Sequence, residues 1–186
     1  MRLSRHCWIA AGILAQLACA EAATPAAPVE PSRSQLTIQQ LMDARVDPPA
    51  VVLWDSVAFI ASAKGEEDRR PRTLAEWNTV RQSALALIKA ADELSAPGRR
   101  VASIDKQPGP GELRAPAMQR LIDSNPDAFA RYARVLKSAA KKALDAIDGR
   151  DAEALMNAGG LIDEACEACH LVYWYPHRAQ SGRLPR

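Results

Sequence analysis

Two stretches, Asp47-Pro48 and Asn125-Pro126-Asp127, place a helix-capping side chain directly before a proline. Aspartate and asparagine satisfy the free N–H groups of a first helical turn, and proline suits the first helical position because it has no N–H to leave unpaired. A third start, Thr73-Leu74-Ala75-Glu76, is a capping box. Each start is followed by apolar residues at helical spacing, and Asp151 can cap one more such run. Helix-period patterns outnumber β-branched alternation, and no Gly-rich phosphate loop, strand-helix alternation or internal repeat competes with them. A chain punctuated this way is expected to be all-α.

The runs give the expected elements. "QLTIQQLMDARV" is a short amphipathic segment carrying Leu36, Ile38, Leu41 and Met42. From Asp47 a helix of about 16 residues is expected, with Val51, Trp54, Val57, Ala58 and Ala61 on one face and the solvated turn "KGEEDRRPR" after it. The helix from Thr73 carries Leu74, Trp77, Val80, Ala84, Leu87, Ile88, Ala91 and Leu94 and stops at Pro97-Gly98. A Pro/Gly-rich connection over 97–116, longer than most loops of compact domains, is either a cover for a site or a plain surface loop. The short helix "AMQRLID" follows it. The helix from Asn125 turns Phe129, Tyr132, Leu136, Ala140, Ala143, Leu144 and Ile147 inward. The last turns Leu155, Ala158, Ile162, Ala165, Cys166 and Cys169 to one face. Four main helices with one long connection make a four-helix bundle the expected architecture. Gly159-Gly160 in the last helix costs roughly 1 kcal/mol per glycine relative to alanine, which points to something large approaching the backbone or to a mild kink.

The N-terminus has another layout. "MRLSRH" is basic, "CWIAAGILAQLACA" is apolar but short for a membrane span, and small residues follow. Residues 1–22 are expected to be a secretory signal peptide, 23–34 a flexible Pro/Ala-rich leader, 35–178 the helical domain and 179–186 a tail. Lipidation at Cys19 is a variant of this scheme, with Gln16 standing where such signals carry leucine. Removing 1–22 takes away Arg2, Arg5 and Glu21 and lowers the formal charge from +2 to +1. A near-neutral chain lacks the basic field that nucleic acid or an anionic membrane attracts. Of the four cysteines, Cys7 and Cys19 leave with the signal, and Cys166 and Cys169 remain.

Those two belong to Cys166-Glu167-Ala168-Cys169-His170. On a helix the thiols three apart share a face, and His170 sits on its neighbouring edge. The spacing is that of a c-type haem attachment. A zinc site wants four ligands, and the spare soft ligand is His177. A redox dithiol wants its thiols at a helix start, not some 15 residues past the cap. An ordinary buried cysteine pair beside a satisfied histidine is the remaining reading. Export favours haem, because two free thiols in an oxidising compartment tend to oxidise.

With these residues the chain resembles the class II c-type cytochromes, the cytochrome c′ group: exported four-helix bundles with Cys-x-x-Cys-His on the last helix. The resemblance covers roughly residues 35–176 and rests on Cys166 to His170. It implies one covalent haem c per chain, thioethers at Cys166 and Cys169, His170 as proximal iron ligand, a periplasmic location and an electron-transfer role with a redox partner protein. It also implies pairing of two copies through helices, for which the Trp77 helix is a candidate. Tyr173 and Trp174 would wall the haem edge, and Trp54 would pack against its distal side. Two departures stand out: "YWYP" replaces the basic residue that follows the histidine in the family, and Pro48-Pro49 interrupts the segment that supplies the distal residue.

The sixth iron position decides the function. Met42 is the candidate ligand for a low-spin electron carrier, with Met118 and Met156 behind it. An apolar residue there would leave a five-coordinate haem that binds NO or CO. No residue presents itself for the acid–base work of a peroxidase, so the chain is not expected to be an enzyme. An exported helical interaction protein held by zinc or a Cys-x-x-Cys disulfide is the alternative from another class.

Overall fold

The computed structural model describes residues 35–63, 65–102 and 107–176, with the backbone alone at Ser62. The expected signal peptide, the leader, His177 and the tail lie outside these residues. The described chain is mostly helical, as the capping pattern implies, and it carries one small two-stranded sheet.

The first helical stretch starts earlier than the Asp47-Pro48 signal suggests. Helix α1 (Ile38–Leu41) is opened by Thr37, whose hydroxyl accepts from the Gln40 N–H while the Gln40 side chain accepts from the Thr37 N–H. It runs through a wide π turn (Met42–Val46) directly into α2 (Asp47–Asp55). Asp47 is therefore not a cap: its backbone is helical (φ −61°, ψ −51°) and its N–H donates to the Met42 carbonyl, five residues back. A proline in a regular helix clashes with the carbonyl four residues earlier and withholds an N–H. Pro48 and Pro49 follow the wide turn, a local loosening of the ladder in which both faults are tolerated.

Helix α2 also ends sooner than expected. The Ser56 hydroxyl donates to the Leu53 carbonyl at 2.7 Å, a local bond that competes with helix continuation. Residues expected to be helix and solvated turn instead form a hairpin, β1 (Ala58–Ser62) antiparallel to β2 (Gly65–Arg69), in the register Ala58–Arg69 to Ser62–Gly65. Gly65 makes the reversal with φ 123°, a value that favours glycine. The buried face of this region is Val46, Ala50, Leu53 and Val57. Val51 is exposed and Trp54 half-buried.

The remaining helices follow their signals closely. Helix α3 (Leu74–Leu94) starts in the Thr73–Glu76 capping box, where the N–H groups of Arg72 and Thr73 hold the Glu76 carboxyl below its ordinary range. Its stripe from Trp77 to Leu94 is buried, except that Leu74 is exposed and Ile88 half-buried. Trp77 faces the core. Helix α4 (Ala115–Ser124) is the short helix after the long connection, α5 (Pro126–Asp148) is capped by Asn125, and α6 (Ala152–Tyr173) by Asp151. Asn125→Ala removes the side-chain acceptor of the Ala128 N–H and is expected to cost about 1 kcal/mol in chemical denaturation.

Helix α3 packs on α5, α5 on α6, and α2 on α3 and α6. Alanines at the crossings, with Ala84, Ala140 and Ala143 fully buried, bring these helices close together around Leu53, Leu87, Leu155 and Ile162. A second, smaller cluster lies at the C-terminal end of α6 and gathers Leu41, Leu94, Val101, Ile122, Phe129 and Tyr173. No helix among the described residues is long and apolar enough to cross a membrane.

Candidate functional site

The Cys166–His170 stretch lies where the two clusters meet. Cys166 packs against the larger cluster, Cys169 against the smaller one, and Met42 against both. Beside the smaller cluster is a cavity of about 400 Å³, of the size that cofactor sites occupy. Cys169, His170, Tyr173 and Trp174 line it from α6 and the residue after it, and Met42 lines it from the π turn. Ile38, Met118, Ile122 and Phe129 supply much of the apolar remainder.

Described residues of the long connection line this cavity. The N–H groups of Ile38 and Gln39 donate to the carbonyls of Arg100 and Val101, both at 2.9 Å, so α1 is stitched to the connection. Gln119 of α4 accepts from the Val101 N–H at 2.8 Å, and the Leu113 N–H donates to the Trp174 carbonyl at 2.7 Å. Val101, Ala102, Pro108, Gly109 and Leu113 consequently form part of the wall. Of the two expectations for 97–116, a cover for the site fits this placement.

His170 closes the last regular turn of α6. Its carbonyl accepts from the N–H groups of Trp174 (2.8 Å) and Tyr175 (3.0 Å), and the chain then turns. The Trp174 ring meets the imidazole edge to face, with centroids 4.9 Å apart at 89°. Tyr175 tilts towards it at 5.8 Å and is tied by its hydroxyl to Glu167 at 2.6 Å. Tyr173 points the other way into the small cluster, edge-on to Phe129 (5.2 Å) and Tyr132 (5.8 Å). One aromatic residue thus anchors the helix end and the next limits the tilt of the imidazole. Burial lowers the His170 pKa, which favours the neutral ring that a metal requires.

Both cysteines are free and half-buried. Burial pushes Cys166 up to about 11, with Asp163 and Asp47 adding to the shift, and Cys169 up to about 12. A working redox dithiol needs a lowered thiol pKa, so this environment opposes that chemistry. Among the described residues no three His, Cys, Asp or Glu side chains are gathered as a metal site, and His177, the spare zinc ligand, lies outside them.

Trp54 is placed elsewhere. Its indole N–H donates to the Gly159 carbonyl at 3.0 Å, about 16 Å along α6 from His170 at ~1.5 Å per residue. It lines a shallower groove between α2 and α6 together with Met156 and Gly160. The large group that comes close to the glycine pair is thus this indole. Met118, ranked behind Met42 in the sequence, shares the main cavity, whereas Met156 is exposed and remote from it. The contribution of Met118 and of the connection is not readable from the motif. Its one signal is the length of a Pro/Gly-rich segment preceding an amphipathic helix.

The donor set fits a covalently attached haem: two thiols on one helix face, an imidazole directly after them, and a mostly apolar cavity with Met42 and Met118 among its lining residues. No family model, no curated protein and no solved structure matches the chain, so the functional reading rests on these side chains and their placement.

Proposed function

We propose that the chain is an exported monohaem c-type cytochrome of the cytochrome c′ kind, an electron carrier that works in the periplasm with a redox partner protein. In this reading α1–α2, α3, α5 and α6 form a four-helix bundle, Cys166 and Cys169 carry one haem c through thioethers, and His170 is the proximal ligand. The observation that carries it is the meeting of Cys169, His170 and Met42 at one mostly apolar cavity, with Cys166 one turn back on the same helix.

The haem supplies one-electron chemistry, and the chain sets how that chemistry is used. Trp174 packs edge to face on the imidazole, Tyr173 fixes the end of α6, and residues of the connection line the cavity. Met42 is the sixth ligand in this reading, which gives an electron carrier instead of a gas-binding site. Catalysis is not part of this reading, which rests on the sequence offering no residue for the acid–base work of a peroxidase.

Absorption spectra of protein exported with the haem-maturation machinery test the proposal, taken oxidised and reduced, with and without CO. Covalent haem with sharp reduced bands indifferent to CO is the expected result. A broad spectrum that shifts with CO would replace the electron carrier by the five-coordinate NO/CO-binding protein. Absence of covalent haem would remove the cytochrome and leave the zinc- or disulfide-held interaction protein.

A further inference from the structure

The end of α6 lacks the usual chemistry for stopping a helix. Many helices close on a glycine with positive φ, but here Trp174, Tyr175 and Pro176 follow Tyr173, and Trp174 has φ −107°. Bulky residues at such an end fray unless other groups hold them. The backbone supplies part of the hold, through the His170 carbonyl and through the Leu113 N–H on the Trp174 carbonyl. The other part is a side-chain bond: the Tyr175 hydroxyl donates to the Glu167 carboxylate at 2.6 Å, eight residues back and between the two cysteines. A hydroxyl donating to an ionised carboxylate is shorter and stronger than a neutral pair. Among the described residues Glu167 makes no ion pair, and neither Glu167 nor Tyr175 lines the cavity.

What this bond reaches is the imidazole. The Tyr175 ring lies 5.8 Å from that of His170 and 5.5 Å from that of Trp174, and Trp174 meets His170 at 4.9 Å. The rings close a triangle, so fixing one restricts the others. Trp174 is 37% exposed, and the Leu113 bond holds its backbone while leaving the side-chain torsions to its neighbours. Tyr175 is the neighbour that stands against both rings.

We infer that Glu167 is a positioning residue: by holding the Tyr175 hydroxyl it keeps the Trp174–Tyr175 pair against His170 and fixes the orientation of the imidazole. Groups behind a metal ligand commonly set its orientation in this way. The consequence for iron rests on the haem reading, whereas the orientation of the ring does not.

The test takes two readouts on the full chain. In the haem-free chain with labelled histidine, the His170 ring resonances are identified by their absence from His170→Asn. Trp174→Ala shows which way they move when the indole is gone. Tyr175→Phe keeps the ring and removes the hydroxyl, and Glu167→Ala removes the acceptor, so each should move them in that same direction. Glu167→Gln should leave them near the parent's, because its amide oxygen accepts the same bond. Combining Tyr175→Phe with Glu167→Ala should move them no further than either alone. In haem-loaded protein, electron paramagnetic resonance should give one set of g values for the parent and Glu167→Gln, and a broadened or split set for Tyr175→Phe and Glu167→Ala. Resonances unmoved in those two variants overturn the inference, as do additive shifts or equal movement in Glu167→Gln and Glu167→Ala. Parental g values in the loaded variants overturn it for the iron ligand. Absence of covalent haem would instead remove the cytochrome, and the haem-free resonances would still decide the role of Glu167.

Discussion

Haem-loaded Met42→Leu protein is expected to bind carbon monoxide in the ferrous state, where the parent does not, and to show a lowered reduction potential. Met42 sits in the π turn, half-buried, in contact with both apolar clusters and at the wall that also holds His170. A thioether opposite a histidine raises the potential and leaves no open position, so its removal changes both properties together. Leucine is chosen because it keeps the volume. An isosteric swap of this kind costs less than about 1.5 kcal/mol, whereas alanine would add a cavity penalty and confuse ligation with unfolding. Met118→Leu is the matched control, because Met118 lines the same cavity from α4. Carbon monoxide binding on Met118→Leu and not on Met42→Leu would move the sixth ligand to α4. Binding in neither variant, with the parent also indifferent, would point to a ligand other than methionine.

The sequence is most legible where local chemistry and long-range packing agree. Thr73, Asn125 and Asp151 each cap the helix expected of them, and the stripe from Trp77 to Leu94 turns inward because nothing interrupts a 3.6-residue period there. Legibility fails between residues 37 and 69, for two reasons. Asp47-Pro48 has every local mark of a helix start, yet the helix is already under way from Thr37, and the π turn absorbs the prolines. The Phe59–Ile60 run has the apolar content of a helix face, but the Ser56–Leu53 bond and the Gly65 reversal convert it to a strand. At the site the motif residues were readable, since Cys166, Cys169 and His170 need only one helix to be neighbours. The rest of the cavity is assembled from Ile38, Val101, Met118 and Phe129, on separate elements. Their meeting depends on backbone bonds such as Gln39 N–H to the Val101 carbonyl, which leave no trace in side-chain pattern.

The glycine pair of α6 should separate sharply on substitution, with Gly159→Leu lowering stability by about 1–3 kcal/mol net. A Cβ at position 159 would lie 3.3 Å from Cδ1 of Trp54, closer than an ordinary contact. The indole cannot simply swing aside, because its N–H is bonded to the carbonyl of that same residue at 3.0 Å. Overpacking costs roughly 1–3 kcal/mol, and losing the indole bond adds about 1 kcal/mol, which outweighs the helix propensity gained, under about 1 kcal/mol. At position 160 the balance reverses: a Cβ there meets nothing within 4 Å, so Gly160→Ala keeps the propensity gain and should stabilise by up to about 1 kcal/mol. At roughly 2–4 °C per kcal/mol for a chain of this size, thermal unfolding should place the two variants on opposite sides of the parent. Trp54→Phe removes the indole N–H and narrows the ring, so combining it with Gly159→Leu should recover part of the loss. No recovery in the double variant would mean that the glycine is required for a reason other than the indole above it.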